Sequence, residues 1–181
     1  MDTLTTLWLP TVLSGVVVFI GSFVAWVVLP HHKREWSKLP DEDAFLKALG
    51  EWGIEPKQYM FPHAETPEEM KSEEHKRRWM EGPRGSLCVW PGAPNMGMNM
   101  LCTFMFYLVA SFCIAYVANM ALDPGASVLS IFRVVTTVGV LTYCAAGIPN
   151  AIWFKRKIAW DLVDGLVYAV LTGLIFALLW P

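Results

Sequence analysis

Charge is missing from most of this chain. Residues 3–30 and 85–122 hold no Asp, Glu, Lys or Arg, and only 17% of the sequence is charged. Thirteen of the fourteen Lys and Arg residues fall in two segments, ten between Lys33 and Arg84 and three at Lys155, Arg156 and Lys157. A net charge of −2, with the basic residues interspersed among acids, excludes nucleic acid as a partner. The N-terminal Met-Asp-Thr-Leu-Thr-Thr lacks the positive region of a secretory signal, and the apolar run behind it is too long to be cleaved. That run is expected to stay in the membrane.

Cysteine is scarce too. Cys88, Cys102, Cys113 and Cys144 form no CxxC pair and no zinc-ligand spacing, which excludes a thiol oxidoreductase or a zinc knuckle. Cys102 and Cys144 come to similar depth on neighbouring spans without implying a disulfide. No GxSxG, HExxH or Gly-rich phosphate loop occurs, and no nucleophile with its base can be assembled. The first span carries no carboxylate of the kind that small proton-coupled exporters use. None of the four histidines falls inside a span, which argues against a haem or chlorin ligand. His31, His32, His63 and His75 show no ligand spacing and read as interfacial or solvated. Met96, Met98 and Met100, followed by Cys102, would offer soft ligands to Cu(I), but the run enters a helix and reads as apolar packing. No cofactor, no metal and no catalytic residue is therefore predicted, and the sequence points away from an enzyme. Membrane lipids are the expected surroundings, with room for a bound lipid.

What is present is apolar length. Hydrophobic residues make up 55% of the chain, enough for four spans and one polar insertion. A helix rising about 1.5 Å per residue crosses roughly 30 Å of hydrocarbon in about 20 residues. Spans are predicted at about 7–29, 96–121, 127–148 and 158–180. In lipid each must satisfy its own backbone, so each is helical. The fold class is an all-α, polytopic membrane protein with four transmembrane helices in a bundle. Pro10 sits in the first turn of span 1, where a missing N–H costs little. Short connections make spans 2, 3 and 4 antiparallel neighbours.

The basic segments set the orientation. The positive-inside rule puts 31–95 and 153–157 in the cytoplasm and leaves both termini and loop 122–127 outside. Trp90, Trp153, Trp160 and Trp180 lie where interfacial aromatics belong. The insertion, 31–95, reads as two short helices. Asp41 caps the first, and Thr66-Pro67-Glu68-Glu69 starts a second that runs to about Met80. Between them 56–62 is extended. So few aliphatic side chains cannot make an independent core, and the insertion is expected to pack on the bundle or on another subunit.

The sharpest packing signal is on span 4. Gly165, Ala169, Gly173 and Ala177 recur every four residues, a small-residue row that lets helix backbones approach closely. Asp161 and Asp164, one turn apart, form a candidate polar site with Asn150 at the end of span 3. They serve either as a proton or cation site, or as helix-dipole partners that pair with Lys155, Arg156 or Lys157. Arg133, two turns in from the outer surface, is expected to snorkel or to pair with Asp123. It stands about 25 Å in depth from the Asn150 level, too far for a relay to Asp164.

Three stretches resemble a group of small, uncharacterised bacterial four-span inner-membrane proteins: Val28-Leu-Pro-His-His-Lys-Arg-Glu-Trp-Ser-Lys-Leu-Pro-Asp-Glu42, Pro94-Asn-Met-Gly97, and Ile152-Trp-Phe-Lys-Arg-Lys157 with Asp164-Gly-Leu-Val-Tyr-Ala-Val-Leu-Thr-Gly173 and Leu179-Trp-Pro181. The resemblance implies four helices in a bacterial inner membrane and brings no activity or functional residue. Two functions are expected from the residues themselves. The first is a non-catalytic integral subunit or assembly element of a larger membrane complex, bioenergetic complexes included, associating with other subunits or with itself. The second is a small transporter or ligand-binding protein that uses Asp161 and Asp164.

Overall fold

The computed structural model describes residues 3–181, with side chains from Thr5 onward. Four helices are long and apolar enough to cross a membrane: Trp8–Val28, Met96–Ala121, Val128–Phe154 and Ala159–Leu179. Each matches a predicted span, and the protein is a predominantly helical, four-span membrane protein. After a short α1 (Thr3–Thr6), span 1 consists of α2 (Trp8–Phe23) and one turn of π-helix, Val24–Val28. Span 2 is α6 (Met96–Ala121), capped by Asn95, whose side chain accepts from the Met98 N–H at 3.0 Å. Span 3 comprises α7 (Val128–Val140), a second π turn at Leu141–Ala145, and α8 (Gly147–Phe154). It runs past the predicted end near 148, with Pro149 in the first turn of α8, directly after the π turn. Span 4 is α9 (Ala159–Leu179).

The spans pack as a ring: span 1 against spans 2 and 4, and span 3 against spans 2 and 4. The tightest seam joins spans 3 and 4, and small residues make it. A Cβ on Gly173 would overlap Thr136 Oγ1, and one on Gly165 would fall 2.6 Å from Cys144 Sγ and 3.0 Å from the Tyr143 carbonyl. Between them Ala169 meets Gly139, where an added Cβ would lie 3.0 Å from the Ala169 Cα. Three steps of the small-residue row thus face span 3. The fourth, Ala177, joins Leu7, Ile114, Ala118, Ile131, Val135 and Phe176 in the apolar core at the end where the chain terminates. That end is tied by two bonds: the Trp180 indole N–H donates to the Asp123 carbonyl at 3.3 Å, and the Gly125 N–H donates to the Pro181 carbonyl at 3.1 Å.

Lys38–Pro94 forms a second compact unit. Its α3 (Glu42–Glu51) is capped by Asp41. The predicted helix of 66–80 is two helices, α4 (Pro67–Lys71) and α5 (Glu73–Glu81), because Ser72 leaves the helix to cap the second with its own hydroxyl. The extended 56–62 stretch supplies β1 (Gln58–Phe61), paired antiparallel with β2 (Gly85–Cys88). This strand pairing had no signal in the sequence beyond the extended reading of its first half.

Candidate metal centre

Pro30 decides the local geometry. Leu29, the residue before it, is pushed to an extended conformation (φ −80°, ψ 143°), which stops span 1. The chain then turns through a 3-10 helix, His31–Glu35, with basic residues around His32. In such a turn positions i and i+3 eclipse, so His32 meets Glu35 at 2.8 Å through Nδ1. Its other nitrogen, Nε2, lies 2.9 Å from Asp164 Oδ2, and His31 Nε2 lies 3.2 Å from Asp164 Oδ1. Asp161, one turn earlier on span 4, stands with His32 and Glu35 in a second group. Two elements far apart in sequence thus meet on one carboxylate.

The centre is enclosed. His32 is only 3% exposed and Asp164 9%, and the Trp26 ring stacks on the His32 ring at 3.8 Å with an 8° tilt. Trp160 approaches His31 edge-on at 5.1 Å. Burial lowers the pKa of His32, but its hydrogen bonds to Glu35 and Asp164 and the charges of those two acids outweigh it, and the net direction is upward. With both nitrogens facing carboxylate oxygens, the geometry favours the doubly protonated imidazolium form. One oxygen of Glu35, Oε1, is buried with no hydrogen-bond partner among the described residues. It is a spare acceptor at the edge of the cluster.

These groups can hold a metal. The ligand atoms of His31, His32 and Asp164 lie within 4.8 Å of one another, as do those of His32, Glu35 and Asp161. Atoms bonded to one ion at about 2.0–2.2 Å stand at most about 4.4 Å apart, so small side-chain shifts would close the set. Two imidazoles and a carboxylate suit zinc and the neighbouring divalent transition metals better than calcium or magnesium. The expectation of no metal and no cofactor is therefore overturned. His31 and His32, read from the sequence as interfacial or solvated, converge instead on a buried acid. Adjacent histidines carry no ligand spacing of their own. The usable signal was depth, since the basic segments around them and around Lys155 had already put both regions at the same membrane face.

The predicted site residues fare differently. Asp164 is the hub and Asp161 is at hand. Asn150 is exposed on α8, and among the described residues no hydrogen bond joins it to either acid. Among the same residues no ion pair links Lys155, Arg156 or Lys157 to the acids, or Arg133 to Asp123. Arg133 is exposed on span 3. Cys102 is exposed and Cys144 buried, and both are free thiols.

Behind the carboxylates lies a chamber of about 170 Å³. All four spans contribute an aromatic ring to it: Trp26, Tyr107, Tyr143 and Tyr168. The three tyrosine rings pack edge to face with centroids 5.9–6.2 Å apart. Asp161 and Asp164 form its wall towards the histidines.

Comparison with family models, with curated proteins and with solved structures gave no match. The resemblance to a particular bacterial group thus gains no support from relatives, while the four-span helical fold stands on the structure.

Proposed function

We propose that the protein is a small ligand-binding membrane protein whose ligand is a divalent transition-metal cation. The site is built on Asp161 and Asp164, with His31, His32 and Glu35 completing it. The convergence of both histidines on the buried Asp164 supports this reading most directly. Ionisable groups within spans are expensive and mark ion or substrate sites. Here two histidines and three acids share one enclosed position beside the bundle's end.

The protein purified in detergent without chelator should carry about one zinc-like ion per chain by elemental analysis. Asp164→Asn should reduce affinity on titration by at least ~10–100-fold, the loss typical even of a metal ligand's supporting contacts. A chain that never binds Zn²⁺, Mn²⁺ or Co²⁺ in titration refutes the reading. Vesicle flux then separates a transporter from a receptor, since only a transporter accumulates the ion.

The membrane in this reading is a bacterial inner membrane, with the ion site at its cytoplasmic face and both termini periplasmic. The distribution of Lys and Arg supports it.

A second reading, a non-catalytic subunit of a larger membrane complex, is favoured by the surface of Lys38–Pro94. Trp52 is 70% exposed there and Met80 76%, more apolar surface than a solvated loop needs. Extraction in mild detergent should then yield an assembly well above 20.4 kDa. A stable isolated monomer counts against it.

A further inference from the structure

We propose that the chamber behind Asp164 binds a small organic ammonium ion. The inference goes beyond the metal reading and does not need it.

Its lining sets the charge of the occupant. Two carboxylates, Asp161 and Asp164, face the chamber, and no Lys, Arg or His is among the residues that line it. Asp164 already meets His31 and His32, so the acid left without an ion-pair partner among the described residues is Asp161, and it disfavours an anion there.

Its lining also sets the kind of cation. Five of the nine lining residues are aromatic: Trp26, Phe106, Tyr107, Tyr143 and Tyr168. Ring carbons do not ligate metals, but the negative face of an aromatic ring attracts ammonium groups, most strongly where water is excluded. The chamber's 170 Å³ is more than a bare ion would fill. At about 30 Å³ of liquid volume per water it matches roughly six waters, or an ammonium carrying a few carbons.

Two polar atoms select further, the hydroxyls of Tyr143 and Tyr168, and that of Tyr168 is on the more buried residue. Tyr168 is only 7% exposed, and its hydroxyl has no hydrogen-bond partner among the described residues. A buried hydroxyl in that state calls for an occupant. The phenol oxygen can accept from an ammonium N–H, so primary and secondary ammonium ions should be preferred over quaternary ones. Because Asp164 belongs to both sites, a divalent metal and the ammonium ion should displace each other.

The test is calorimetric titration of the full-length protein in detergent, with chelator and an amine-free buffer. The probes are ethylammonium and tetramethylammonium. Ethylammonium should bind saturably at one site per chain, more tightly than tetramethylammonium. Tyr168→Phe, which removes only the hydroxyl, should weaken ethylammonium about tenfold and leave tetramethylammonium unchanged. Asp161→Asn should weaken both. The inference is overturned if neither ion gives saturable heat, as a chamber holding water alone would behave. Binding that neither variant alters also overturns it. Elution position on size-exclusion chromatography monitors folding, and the near-isosteric Tyr168→Phe keeps the test open should Asp161→Asn misfold. Zn²⁺ titration without ammonium is scored separately, so failure of the chamber and failure of the metal site give different results.

Discussion

At the residue scale the molecule turns on Asp164. It accepts from two histidines 132 and 133 positions away in sequence, inside a bundle that gives it little water. Removing one member of a buried charged set leaves the others uncompensated, which typically costs about 3–5 kcal/mol. Metal-free Asp164→Leu should therefore lower the melting temperature in detergent markedly, whereas substitution of the exposed Asn150 by Ala should not. His32 adds a pH dependence to the metal-free protein. Its pKa is raised in the fold, with Glu35 and Asp164 as the charges it faces and His31 and Asp161 beside them. Stability from this group is fully present below the unfolded-state value of about 6.5 and is lost as pH rises through the higher folded value. Thermal melts of chelated protein should fall across that window, and His32→Gln should flatten the fall. Asp161 and Asp164 were legible from the sequence as intramembrane acids. The histidines were not, because their relation to Asp164 is made by the Pro30 turn and by the packing of span 1 on span 4, neither of which leaves a local pattern.

At the scale of the elements, apolar length and caps carried most of the information. The long apolar runs, two of them wholly uncharged, pointed to four helices because lipid allows a lone segment no other way to satisfy its backbone. Asn95 and Ser127 close the starts of spans 2 and 3 with side-chain bonds. Asp41 and Thr66 were readable as caps for the same reason. Ser72 was not, since a serine inside a polar helical run competes for the backbone only once the surrounding turns are placed. The small-residue row on span 4 makes a further prediction. An added methyl at Gly165 would meet both a sulfur and a backbone carbonyl, and the carbonyl cannot swing away. Gly165→Ala should cost about 1–3 kcal/mol, read as a lower detergent melting temperature. Gly147→Ala, where nothing lies within 4 Å, should cost far less.

At the scale of the whole molecule, charge distribution and topology can be tested together. Cys88 is an exposed thiol in the polar segment. In inside-out vesicles a membrane-impermeant maleimide should label it, and in intact cells it should not. Ser127→Cys should show the reverse. Labelling of Cys88 from outside would invert the orientation. The two π turns have the widest consequence. Each holds one residue more than an α-helical turn, and each residue is worth about 100° of rotation. Trp26 lies in the first, while Tyr143 and Cys144 lie in the second. Deleting Val27 would restore regular winding and swing His31 and His32 away from span 4, leaving Ser14 and Val18 where they are. Two one-residue insertions, one in each of two spans, thus stand between regular winding and the arrangement that brings the site together.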